Sequence, residues 1–115
     1  MLTVEARGEV VVVAPGAPTD LTVAEARLFD EAADAVPGGA DVVLDLAAVG
    51  FLDSAGIGCI VRLNRRLQDG GGELRLAGPG QAVTIALELV RLHRLLEVYP
   101  SVDEAVASFG AGEPT

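Results

Sequence analysis

Six consecutive residues, Asp53-Ser54-Ala55-Gly56-Ile57-Gly58, bring together a hydroxyl, a neighbouring carboxylate and several small side chains where an apolar run gives way to a helical pattern. A hydroxyl at the start of a helix lies beside backbone N–H groups that lack a carbonyl partner, at the positive end of the helix dipole. A phosphate added there is accommodated without unfolding. The same residue types are preferred N-caps, and for an Asp-Ser pair considered alone capping is the commoner role. Nucleophilic chemistry at Ser54 needs a base in hydrogen-bond reach and a group to orient it, yet His93 is the one histidine in the chain. A small hydrolase is therefore the outside reading. His93 has no second His or Cys at ligand spacing, so it is expected to be structural or exposed, and neither a metal nor a cofactor is expected.

Gly70-Gly71-Gly72 and Gly78-Pro79-Gly80 read as turns, since no phosphate-loop or dinucleotide-binding pattern accompanies them. Gly58 costs about 1 kcal/mol relative to Ala inside a helix, so tight packing or the close approach of a partner must account for it. Arg62, Arg65 and Arg66 are expected to form a solvated face, with a positive strip meeting an acidic partner as the alternative.

These residues need elements to hold them. Residues 2–7 and 9–14 read as a hairpin around Gly8, and Thr22-x-x-Glu25 is a capping box opening a helix to about Val36. Ala26, Phe29, Ala33 and Val36 share one face of that helix, with Arg27, Asp30, Glu31 and Asp34 opposite. A third strand at 41–46 leads through Phe51-Leu52 into a second helix running to about Asp69, capped by Asp53 or Ser54. On it Ile57, Ile60, Val61 and Leu67 make an apolar side that Asn64 interrupts. A fourth strand at 73–77, a helix at 81–91, a fifth strand at 95–99 and a last helix from Ser101-x-x-Glu104 to about Phe109 complete the order β-β-α-β-α-β-α-β-α. That order demands right-handed crossovers and a mixed sheet with helices mostly on one side. Residues 1–110 are expected to form one domain, with a flexible tail at 111–115.

The composition narrows the function. A chain of 115 residues suits one domain, and a core with three Phe, one Tyr and no Trp must be built from aliphatic side chains. Seventeen acidic against eight basic residues give a formal charge of −9, which repels nucleic acid and anionic lipid alike. Cys59, the one cysteine, excludes an internal disulfide and reads as a small buried hydrophobe. The N-terminus lacks a basic n-region and a long apolar stretch, and every apolar run is broken by charge well short of about 18 residues. A cytoplasmic protein, monomeric or weakly dimeric, is the expectation.

The stretch Val49-Gly50-Phe51-Leu52-Asp53-Ser54-Ala55-Gly56-Ile57-Gly58, followed by a helix closing on Gly70-Gly71-Gly72-Glu73-Leu74, resembles the signature of the STAS domain of bacterial anti-sigma-factor antagonists. The likeness continues through Ala82-Val83 and Leu92 to Leu96-Glu97-Val98 and covers roughly residues 3–109. It implies an α/β STAS fold, a mixed central sheet of about five strands with about four helices. It further implies a non-enzymatic, partner-switching regulator of transcription. In that family the Ser after the Asp is phosphorylated by a partner that is both serine kinase and anti-sigma factor, and the matching position is Ser54. The unphosphorylated form binds that partner and frees the sigma factor, phosphoserine weakens the complex, and a serine phosphatase reverses the modification. The implied partner-binding surface comprises Asp53, Ser54, Ala55, Gly56, Ile57 and Gly58, with Thr19 and Asp20 of the preceding loop.

Two positions depart from the family pattern. Thr19 stands where an acidic residue is usual, with Asp20 one place later, and Arg91 stands where Gly commonly precedes Leu92. The alternative is a STAS subunit of another assembly, such as a lipid-transport complex or a stressosome, docking a different protein through the same surface.

Overall fold

The computed structural model describes residues 2–34 and 36–111. Strands β1 (Leu2–Arg7) and β2 (Val10–Pro15) form an antiparallel hairpin in which Arg7 faces Val10, and Gly8 supplies the positive φ of the turn. The chain continues through β3 (Thr19–Leu21), α1 (Val23–Ala33), β4 (Asp41–Asp45), β5 (Val49–Leu52), α2 (Ser54–Asp69), β6 (Glu73–Ala77), α3 (Gln81–Leu89), a 3-10 turn at Leu92–Arg94, β7 (Val98–Tyr99) and α4 (Val102–Ala111). The main sheet has the order β1-β2-β4-β6-β7. Its β2–β4, β4–β6 and β6–β7 pairs are parallel, and each of these connections carries a helix.

Alternation along the central strands divides the core in two. Val13, Val42, Leu44, Leu74 and Leu76 join Phe29 of α1, Ile60, Leu63 and Leu67 of α2, and Val83 and Leu87 of α3 in the larger cluster. Val10, Val12, Val43 and Ala77 belong instead to a second cluster with Ala105 of α4, flanked by Val102, Val106 and Phe109. Helices α1–α3 thus cover one face and α4 closes the other, which agrees with the expected mixed sheet. Arg75 lies on the α4 side and stays satisfied there. Its guanidinium stacks over the Phe109 ring at 4.1 Å, while its nitrogens donate to Glu73 at 2.8 Å and to Ser108 Oγ at 2.6 Å.

The structure corrects the expected elements in four places. Two strands, β3 and β5, were absent from the expected order, and they form a separate two-stranded parallel sheet. The strand expected at 95–99 is reduced to Val98–Tyr99 because Leu92–Arg94 winds into a 3-10 turn. The helix expected at 81–91 ends at Leu89, since Arg91 adopts φ 60° and ψ 28°, a left-handed conformation that cannot continue an α-helix. The first helix likewise stops at Ala33, short of Val36, although Val36 is buried as expected. The tail expected at 111–115 lies, apart from Ala111, outside the described residues.

Candidate functional site

The site begins where β4 leaves the main sheet. The Asp45 carboxylate accepts the Ala47 N–H at 3.0 Å and the Leu46 carbonyl accepts the Val49 N–H at 3.0 Å, so the chain turns out of the main sheet and enters β5 at Val49. Strand β3 then pins β5: Thr19 pairs with Val49 and Leu21 with Leu52, with a register shift between them. The pinning extends past both ends of β5. The Thr19 N–H donates to the Ala48 carbonyl at 2.9 Å and the Asp53 N–H to the Leu21 carbonyl at 3.3 Å. The loop after the hairpin and the segment leading to Ser54, thirty residues apart in sequence, are thereby locked side by side.

Asp53, not Ser54, caps α2. Its backbone is extended, its Oδ1 accepts the Gly56 N–H at 3.0 Å, and its carbonyl accepts the Ile57 N–H at 2.9 Å. Ser54 is consequently the first residue of the helix, exposed, and its hydroxyl is not needed to hold the turn. Among the described residues no histidine, cysteine or arginine hydrogen-bonds to it. His93 lies on the exposed surface of the 3-10 turn.

Gly56 is buried, and a Cβ built on it would fall 2.3 Å from the Leu21 carbonyl oxygen and 2.7 Å from Leu52 Cδ1. Its smallness is what lets the first turn of α2 seat against β3. Gly58 is different: a Cβ there would meet only the Arg62 guanidinium, at 3.2 Å. The open space above Gly58 is where Arg62 folds back along its own helix. Ala55, Ile57 and Gly58 are half-buried, as is Thr19, while Asp20 is exposed with its carboxylate directly over Gly50. Thr19 Oγ1 donates to the Asp20 carbonyl at 3.3 Å. The acid one place later than the family pattern is therefore the one that reaches the surface beside β5. An open depression of about 460 Å³ runs between the two segments, lined by Pro18, Thr19, Asp20, Ala47, Ala48 and Gly50.

Phe51 was not singled out as a site residue, yet it is half exposed at 50% on β5, three residues before Ser54. In a chain with four aromatic residues, a Phe next to a glycine on a four-residue strand was the signal to notice.

The arginine face expected to be solvated is exposed at Arg62 and Arg65, while Arg66 is half-buried, and both Arg62 and Arg66 reach partners on α1. Arg62 donates to Asp30 of α1 through Nη2 at 2.8 Å, a hydrogen bond that raises the guanidinium pKa above its ordinary value. Arg66 donates to the carbonyls of Ala33 at 3.1 Å and Asp34 at 2.9 Å, and also to that of Val36. Ala33 and Asp34 stand at the C-terminal end of α1 and Val36 just beyond it, and the Ala33 carbonyl also accepts the Val36 N–H at 3.0 Å. The two arginines fasten α1 to α2 behind the site.

Among the described residues no three His, Cys, Asp or Glu side chains converge on a possible metal position, and no helix is long and apolar enough to cross a membrane. The family model for the STAS domain matches residues 1–105.

The chain belongs to the STAS domain family.

This STAS domain is similar to a Thermotoga maritima protein named as a candidate anti-sigma factor antagonist, with 31% identity over 65 residues. That match takes in 56% of this chain and spans 58% of the relative's length. Among solved structures, an anti-sigma factor antagonist from Mycobacterium paratuberculosis superposes with a TM-score of 0.82 at 26% identity, covering 94% of this chain and 92% of the other. A candidate anti-sigma factor antagonist of Thermotoga maritima superposes with a TM-score of 0.81 at 24% identity, covering 93% and 92% of the two chains. At that identity the last likeness concerns the fold alone.

Proposed function

We propose that this STAS domain is an anti-sigma-factor antagonist, a binding module that docks an anti-sigma factor through the surface around Ser54 and is released when that serine is phosphorylated. The observation that carries the reading is the position of Ser54: exposed, first in α2, and relieved of the capping role by Asp53. The docking surface combines Asp53, Ser54, Ala55, Ile57 and Gly58 with Thr19, Asp20 and the half-exposed Phe51, and Gly56 lies beneath it as the seat of the turn.

The chemistry belongs to the partner. A kinase supplies ATP and the base; the Ser54 oxygen attacks the γ-phosphorus, the hydroxyl proton passes to the base, and ADP leaves. A serine phosphatase returns the hydroxyl by hydrolysis. The added group brings about −1.5 to −2 charges next to Asp53 and to the exposed Asp20, in a chain already at −9. Dipole and free N–H groups at the helix start accept it locally. In a closed interface, however, the same oxygens would have to shed their water, and the cost falls on the complex rather than on the fold.

The test is a comparison of wild type with Ser54→Ala and Ser54→Asp. Phosphopeptide mass spectrometry on protein recovered from its native cell should find modification at Ser54 and none in Ser54→Ala. Ser54→Asp should weaken binding to the anti-sigma factor by about 1–3 kcal/mol. Its chemical-shift changes should stay near residues 52–60 and the loop at Thr19. Modification persisting in Ser54→Ala, or shifts spread across the main sheet and α4, would overturn the reading.

A further inference from the structure

All eight basic residues of the chain are arginines, and five are engaged within the fold. Arg7 pairs with Asp103, Arg27 with Glu31, Arg62 with Asp30 and Arg75 with Glu73, while Arg66 holds the carbonyls at the end of α1. Arg91 and Arg94 are exposed and, among the described residues, have no ion pair. They stand three residues apart with His93 between them, in a chain whose formal charge is −9. Exposed apolar residues flank them in sequence. Leu89 is 79% exposed, Val90 51% and Leu95 60%, all within the single tight segment that ends α3 and forms the 3-10 turn. Bonds from Arg91 N–H to the Glu88 carbonyl at 3.0 Å and from Leu95 N–H to the Leu92 carbonyl at 2.9 Å hold that segment together.

Arg91 is also the one non-glycine with positive φ among the described residues. A left-handed conformation is unfavourable for an ordinary L-residue, and glycine would avoid the penalty. Nothing in the fold recovers that cost through the Arg91 side chain, which points to a contact outside the chain as the use of its charge.

We propose that the surface formed by Leu89, Val90, Arg91, Arg94 and Leu95 is a second docking site, taken by an acidic segment of a partner protein that carries apolar side chains among its carboxylates. Charge selects the occupant. Two unpaired guanidiniums call for carboxylates, and three exposed aliphatic side chains call for apolar groups between them. A symmetric second copy would set Arg91 and Arg94 against themselves, and an anionic bilayer would face the charge of the whole chain.

The test titrates the 15N-labelled full chain with a synthetic amphipathic peptide bearing Leu on one face and Glu along its flanks. A matched peptide with Lys for Glu, vesicles containing phosphatidylserine, and a dilution series in sedimentation equilibrium complete the arms. The Glu peptide should shift residues 85–95 while leaving 52–58 unmoved, lose at least tenfold in affinity for an Arg91→Gly/Arg94→Gln variant, and bind Ser54→Asp as well as wild type. That last arm separates this site from the one at Ser54. Absence of Glu-peptide binding, equal binding of the Lys peptide, shifts outside 85–95, vesicle co-sedimentation, or self-association through this segment would each refute the proposal.

Discussion

The guanidinium of Arg66 reaches across from α2 to the carbonyl of Ala33, the last residue of α1, at 3.1 Å, and from there also satisfies the carbonyls of Asp34 and Val36. One side chain on the second helix thus serves as the C-terminal cap of the first.

Replacing Arg66 with Met keeps the apolar stem and removes every one of these donors. Because the acceptors are partly buried and the donor is charged, a loss of about 1.5–3 kcal/mol is expected in urea denaturation. Arg62→Met removes a pair whose two side chains are 58% and 38% exposed, and its effect should be clearly the smaller. Equal losses would mean that Arg66 does not act as the cap.

Gly56 and Gly58, two residues apart, should respond oppositely to alanine. At Gly56 the added methyl meets backbone at 2.3 Å, so Gly56→Ala should cost about 1–3 kcal/mol and detach β3 from β5, weakening the proposed partner binding with it. At Gly58 it meets only the Arg62 guanidinium, at 3.2 Å, the end of a long exposed side chain that can shift by a few tenths of an ångström while keeping Asp30, and the better helix propensity of Ala should raise stability by up to about 1 kcal/mol. Thermal melts of the two variants decide the matter.

Burial raises the Cys59 thiol pKa, with Asp30 adding to the effect and Arg62 opposing it. The sign follows from which state holds its proton longer. Folding stability from this group is complete below the ordinary thiol pKa and is lost as pH rises through the elevated folded value, because the unfolded chain ionises first. Stability in alkaline buffer should therefore fall more steeply for wild type than for Cys59→Val. Native protein should also react slowly with a thiol reagent at pH 8, at a rate that denaturant restores.

Arg91→Gly should stabilise the fold. Relief of the left-handed backbone, about 1–2 kcal/mol, outweighs the entropy that glycine adds to the unfolded chain, about 0.5–1 kcal/mol, leaving a net gain of up to about 1.5 kcal/mol. A raised midpoint in urea at unchanged slope is the expected readout, with the phosphorylation proposed for Ser54 unaffected. A lowered midpoint would show that the Arg91 side chain supports the fold.

Much of this molecule was legible in its residue pattern, and what was missed shares a physical cause. The apolar face Ala26, Phe29 and Ala33, the Ser101 cap, whose Oγ accepts the Glu104 N–H at 3.2 Å, and the buried run of β4 all arise from interactions a few residues long. The exposed Ser54 at a helix start was equally readable. Strands β3 and β5 were not, because a three-residue and a four-residue strand carry no period and exist only by pairing across thirty residues. For the same reason the tasks of Arg62 and Arg66 stayed hidden: on α2 alone they look like solvent-facing charge, and only the position of α1 supplies their partners. The left-handed turn at Arg91 was marked in sequence by an arginine where the family commonly has glycine, but its backbone meaning needed the dihedral angles.

The sheet face closed by α4 alone has a consequence for biosynthesis. Val10, Val12, Val43 and Ala77 are all translated before the helix that covers them, so any pairing of β2, β4 and β6 on a nascent chain would leave one apolar side uncovered until α4 follows. At about 5–20 residues per second, that interval lasts on the order of seconds, long enough for a ribosome-associated chaperone to be the first molecule to occupy the place of Ala105 and Phe109.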